Sequence, residues 1–250
     1  MMSVLRLAGM VVALAFSLQV HAQTRYDKIE VGTVLNDGIG MGLFLKPLPL
    51  PQGEWLVVDK VDNSLGVNNT HVRGINSTPT ISVVARNTAP DNPVVALFVS
   101  FLPNTTPLSY SNKKCEMGPS LFVDAVDTTE GGILYVCARA GASSLFQSFV
   151  AGAPICPDKW VKNTFSALAP HASSMPDNIM FVEIYGTKDS GRLVHYMFIV
   201  RADGNPFSDS SYLKFVKDWV HMAGLEIKNY LDSKAAVIPV PAKYVAASAN

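Results

Sequence analysis

Val94-Val95-Ala96-Leu97-Phe98-Val99-Ser100-Phe101-Leu102 is a run of nine residues with one polar side chain. A strand that faces water on one side alternates apolar and polar residues. This run does not alternate, so it is expected to be a strand covered on both faces, at the centre of a sheet.

Working outward, short runs rich in β-branched and aromatic residues recur between Gly, Pro, Asn and Asp. Strands are expected over Ile29 to Val34, Met41 to Leu45, Trp55 to Val61, Ile81 to Arg86, Leu121 to Val126, Ile133 to Ala138, Ile179 to Tyr185 and Leu193 to Arg201. The turns Asp127 to Gly132 and Thr187 to Arg192 contain the glycine that tight reversals favour, so each predicts a hairpin between its flanking strands. Lys46-Pro47-Leu48-Pro49-Leu50-Pro51 has alternating prolines that favour an extended, polyproline-like link.

Helix signals come late in the chain. Pro157 and Asp158 suit an opening turn, and Trp160, Val161, Phe165 and Leu168 share a face before Pro170 stops the segment. A second helix is expected from a cap at Asp209, Ser210 or Ser211 to about Asp232. Tyr212, Phe215, Val216, Trp219, Met222, Ala223 and Tyr230 recur there at i+3 and i+4, and Val220, Ile227 and Leu231 widen the stripe. So broad an apolar face is expected to pack across the sheet. The expected fold is α+β, a mostly antiparallel twisted sheet with two helices packed on one face, the last sealing the core. A β-sandwich with added helices is the alternative. Residues 23–234 are expected to form this single domain and 235–250, rich in Pro, Ala and Ser, a loosely ordered tail.

The leader tells where the protein goes. Arg6, an apolar run from Leu7 to Val20 and the small residues of Val20-His21-Ala22 read as a signal peptide over 1–22. No later segment holds the roughly 20 uninterrupted apolar residues that a membrane span needs. A soluble mature chain in the periplasm or secreted is therefore expected, with no transmembrane anchor. The whole chain has 20 Lys plus Arg against 20 Asp plus Glu, and the leader removes only Arg6 from that balance. Nucleic acid and anionic membrane surfaces normally meet a clustered basic field, so neither is expected as a partner.

Three cysteines remain: Cys115, Cys137 and Cys156. In an oxidising compartment the simplest arithmetic is one disulfide and one leftover thiol. Cys115 with Cys137 closes a loop of about 22 residues, worth about 3 kcal/mol by chain entropy. Cys137 with Cys156 is the competing pair.

No catalytic constellation is legible. There is no phosphate loop and no G-x-S-x-G elbow, and Gly38-Ile39-Gly40-Met41-Gly42 reads as a turn and strand entry. Gly141-Ala142-Ser143-Ser144 reads as a serine cap of a short helix. His71, His171, His195 and His221 lack a second His or Cys at ligand spacing, so no metal or other cofactor is expected. His195 shares a strand face with Leu193, Met197 and Ile199; the bland reading is a core histidine, the sharp one a general base. Asp124, Asp127 and Glu130 surround a turn, as does Asp203 in Asp203-Gly204-Asn205-Pro206. N-glycosylation sequons begin at Asn68, Asn76 and Asn104.

Leu50-Pro51-Gln52-Gly53-Glu54-Trp55, the cysteines Cys115 and Cys137, and Asn205-Pro206 leading to the helix with Trp219 form a pattern along most of the mature chain. In that pattern the chain resembles exported proteobacterial proteins of unknown function, departing from them at Cys156. The resemblance implies a periplasmic setting and no activity. The expectation is a non-catalytic envelope protein that binds another envelope protein or a small envelope ligand. The alternative is a periplasmic hydrolase whose site assembles from distant residues, for example His195 with a carboxylate.

Overall fold

A computed structural model describes residues 24–41, 46–61, 81–102, 122–128, 134–143, 166–176, 178–188, 192–205 and 208–244, with backbone alone for 122–128, 134–143 and residues 37, 61, 81, 102, 187, 192 and 193. Eight strands join one sheet: β1 (Val34–Ile39), β2 (Leu48–Val61), β3 (Ile81–Asn87), β4 (Val94–Leu102), β5 (Phe122–Thr128), β6 (Leu134–Ser143), β7 (Ile179–Lys188) and β8 (Arg192–Arg201). Their order is β1-β2-β3-β4-β8-β7-β6-β5. Every neighbouring pair is antiparallel. The sheet is thus two four-strand meanders whose last strands, β4 and β8, pair with each other at its centre.

The apolar run Val94 to Leu102 is β4, buried from Val94 to Phe101. Its alternation distributes residues to two cores. Leu97, Val99 and Phe101 join Val194, Tyr196, Phe198 and Val200 of β8 on one face, and this face carries the long helix α1 (Ser210–Leu231). Phe98 joins Val84, Met197 and Ile199 on the other, under Leu168. The fold is the expected α+β; of the expected first helix, residues 157–165 lie outside the described residues, and its described end packs on the face opposite α1. Leu168 precedes a 3-10 segment, Ala169–Ser174, and packs opposite α1. The physical reason lies in β4 and β8, which are apolar on both sides. One helix can cover only one of those sides, so the other needs its own layer.

Helix α1 begins where expected. Asp209 is the cap, its Oδ1 accepting the backbone N–H groups of Ser211 at 2.9 Å and Tyr212 at 3.0 Å. Tyr212, Val216, Trp219, Ala223, Ile227 and Leu231 are buried, whereas Met222 is 49% exposed and falls outside the buried stripe. Against the sheet, α1 crosses β5, β6 and β7.

The N-terminal expectations shift in register. Ile29 to Val34 is not a strand: the Thr33 N–H donates to the Glu30 carbonyl at 3.0 Å, and Gly32 at φ +91° turns the chain there. Ile29 still enters the core, and β1 starts at Val34. Of the expected strand Met41 to Leu45, only Met41 is among the described residues, and it lies outside any strand. Leu48 to Pro51 of the proline-rich segment is the first part of β2, beside the edge strand β1, a location that tolerates prolines lacking a donor. Its carbonyls serve the core: Pro49 accepts the buried Tyr196 hydroxyl at 2.9 Å and Pro51 the Trp55 Nε1–H at 2.7 Å.

Two further expectations are corrected. Gly141 to Ser143 is not a helix start, because β6 continues through Ser143, which pairs with Ile179. Nor is the tail loose through residue 244: Ile238 is fully buried and bridges Pro51 in parallel, and Pro241 is buried. Residues 235–244 run back along α1 as a strap because Ile238 and two prolines supply an apolar, extended segment that fits against it. The expected signal peptide, 1–22, and residues 245–250 lie outside the described residues.

Candidate functional site

His195, the residue singled out by its pattern, lies on β8 in the face opposite α1. Direct register partners in an antiparallel sheet stand side by side on one face. His195 pairs with Ser100 of β4 and with Tyr185 of β7, and Ser100 pairs in turn with Ser82 of β3. A row of polar and aromatic side chains therefore crosses four strands, Ser82-Ser100-His195-Tyr185, with Glu183 one step along β7. Ser82, Ser100, Glu183 and His195 are all buried.

The contacts within the row are those of a packed sheet. The Ser82 hydroxyl donates to the Ser100 hydroxyl at 3.1 Å. The Tyr185 ring stacks on the imidazole with centroids 4.0 Å apart and planes within 8°, while Phe98 meets the same ring edge-on at 5.5 Å. Tyr185 also donates its hydroxyl to Glu183 Oε2 at 3.2 Å. An acyl-transfer site needs a nucleophile in hydrogen-bond reach of its base and open space for a carbonyl beside both. Here Ser100 turns to Ser82, and two aromatic rings occupy the imidazole's surroundings. The arrangement can hold a histidine firmly and can tie a buried carboxylate to a phenol.

The other histidines are dispersed. His171 sits half-buried in the 3-10 segment, His221 is exposed on α1, and His71 lies outside the described residues. Among the described residues no three or more His, Cys, Asp or Glu gather as a metal site. Cys137 is on β6, opposite Tyr185 in the register. Its side chain, Cys115 and Cys156 lie outside the described residues, and the expected Cys115–Cys137 pairing with them. Asp124 falls on β5 within the expected strand, Asp127 is in the strand rather than in the turn, and Glu130 lies outside the described residues. Asp203 precedes α1, where its backbone N–H donates to the Tyr212 hydroxyl at 3.1 Å.

A cleft of about 260 Å³, open mouth included, lies at the start of α1 among Pro93, Met180, Tyr212, Trp219 and the strap residue Pro241. Its enclosed part is about 10 Å³, room for about one water molecule. Among the described residues no helix is long and apolar enough to cross a membrane. Tyr185, Glu183, Ser82 and Ser100 were not singled out in the sequence. Ser100 and Glu183 carried a signal nonetheless, each a polar residue inside an otherwise apolar run.

The architecture assigns a class by fold alone: α+β, two antiparallel meanders merged into one sheet with a helix sealed against it by the C-terminal strap. No protein-family model, curated protein or solved structure matches the chain.

Proposed function

We propose that this chain is an exported, non-catalytic protein of the cell envelope that binds another protein or a small envelope component. The observation that carries the reading is the clamping of His195 between Tyr185 and Phe98. The best sequence candidate for a general base is thereby used as a core residue. The near-neutral charge and the small cleft support the same reading, since neither favours a nucleic acid or an enclosed small substrate. The leader and the resemblance to exported proteobacterial proteins support the periplasmic or secreted setting. Exposed Met222, Leu225 and Val237 offer apolar surface for a partner.

The experiment is mild crosslinking in the cell envelope followed by purification and mass spectrometry of everything retained. A reproducible, near-stoichiometric protein or envelope component is expected. Recovery of the protein alone, in repeated preparations from its own envelope, contradicts the proposal.

One observation favours a second reading, the periplasmic hydrolase. Glu183 is only 8% exposed and is linked through the Tyr185 hydroxyl toward the ring stacked on His195. Buried carboxylates near a histidine are a recurring part of acid–base sites.

A further inference from the structure

The C-terminal strap is held by contacts to the body of the protein. The Val237 N–H donates to Glu226 Oε2 at 3.0 Å, Trp219 Nε1–H donates to the Pro239 carbonyl at 2.8 Å, and the Tyr244 hydroxyl donates to Asp209 Oδ2 at 2.9 Å. The Tyr244 ring meets Tyr212 edge-on at 4.9 Å and Phe215 at 5.6 Å. The strap therefore runs antiparallel to α1, from its last turns back to its cap, with Ile238 buried beside β2. A groove that fits this segment exists on every copy of the chain, and the segment fits it identically whichever copy supplies it.

The turn that sends the strap back belongs to one chain only, and it is made awkwardly. The Lys234 N–H donates to the Asn229 carbonyl at 2.8 Å and the Ser233 N–H to the Tyr230 carbonyl at 2.9 Å. This is a Schellman ending, whose reversing residue is usually glycine because it adopts a left-handed conformation. Here it is Ser233, at φ +60°, the one non-glycine residue with positive φ among the described residues. Continuing the helix through Ser233 relieves that conformation and directs the strap away from its own groove. Short hinges under strain are the recognised route to exchange of an element between identical chains.

We propose that residues 235–244 are an exchangeable strap, which leaves its own groove and fills the same groove on a second copy, with Ser233 as the hinge. In the closed monomer the strap competes at the effective concentration of a short tether, of millimolar order, so exchange in the natural sequence is expected at protein concentrations approaching that value.

The test uses the mature chain, residues 23–250, with the mass in solution measured across protein concentration after slow annealing. Ser233→Val makes the left-handed turn harder and Ser233→Gly makes it easier. A penalty of about tenfold per hinge acts twice in a dimer, so Ser233→Val is expected to tighten dimerisation roughly a hundredfold. Ser233→Gly is expected to weaken it, and a chain ending at Lys234 to abolish it. A folded Ser233→Val protein that stays monomeric up to near-millimolar concentration overturns the proposal, as does a strapless chain that dimerises like the wild type. Should Ser233→Val not fold, the natural sequence decides by itself. Isotopically light and heavy copies, annealed together and crosslinked, are expected to show inter-copy links from Lys243 to the lysines of α1, fewer in Ser233→Gly. Their absence near millimolar concentration overturns the proposal.

Discussion

His195 and Tyr196 are neighbours on β8 and face opposite layers, and the two show how the sheet disposes of polar groups. Tyr196 is fully buried, with its hydroxyl on the Pro49 carbonyl. Burial first, and the nearby Tyr230 second, push its phenol well above the ordinary tyrosine value. A folded-state value raised above the unfolded one contributes stability that is complete below the unfolded tyrosine value and is lost as pH rises beyond it. Denaturant melts are therefore expected to lose stability above about pH 10. Tyr196→Phe strands the Pro49 carbonyl and is expected to cost about 1–2 kcal/mol at neutral pH while blunting that alkaline loss; an unchanged alkaline limb contradicts it. On β7, Gly186 lies so close to α1 that an added Cβ sits 2.7 Å from Leu231 Cδ1 and 3.1 Å from both Ile227 Cγ2 and Val194 Cγ2. With all three neighbours fully buried, Gly186→Ala is expected to destabilise by about 1–3 kcal/mol in urea melts.

Helix α1 is pinned at both ends by aspartates. Asp209 is held below the ordinary aspartate value, first by the Tyr212 backbone N–H and then by the Tyr244 hydroxyl. Asp232 is held low chiefly by its hydrogen bond from Lys188 at 2.8 Å. Depressed folded-state values contribute stability above the unfolded aspartate value that is lost as pH falls through the folded one. Acid destabilisation is therefore expected to set in below about pH 4 and to shrink in an Asp209→Asn, Asp232→Asn double variant. A variant as acid-sensitive as the wild type contradicts this. The strap adds to the same element. Ending the chain at Lys234 removes the burial of Ile238, worth about 2 kcal/mol, and uncovers Trp219, so a lower melting temperature and red-shifted tryptophan emission are expected. The strap was illegible in the sequence because Pro, Ala and Ser read as a solvated tail, and only the groove beside α1 gives Ile238 somewhere to go.

For the molecule as a whole, what could be read was whatever is written locally. Val94 to Leu102 announced a central strand because its single polar residue, Ser100, makes no alternation that would mark a solvent side, and α1 announced itself by its stripe and by Asp209. The pairing of β4 with β8 spans about a hundred residues of chain and leaves no local mark. The row from Ser82 to Tyr185 depends on that pairing, so it could not be assembled from the sequence. The opposite placement of Leu168 was readable in principle, since β4 is apolar on both faces. The proposed role of His195, a core residue of a non-catalytic protein, is tested most directly by His195→Ala when melting temperature and a hydrolase panel are measured together. Loss of the stacked ring is expected to cost about 1–3 kcal/mol, a fall of about 3–10 °C, with no hydrolase activity in the wild type for the variant to lose. A hydrolase activity that vanishes in His195→Ala while the melting temperature stays unchanged contradicts the account.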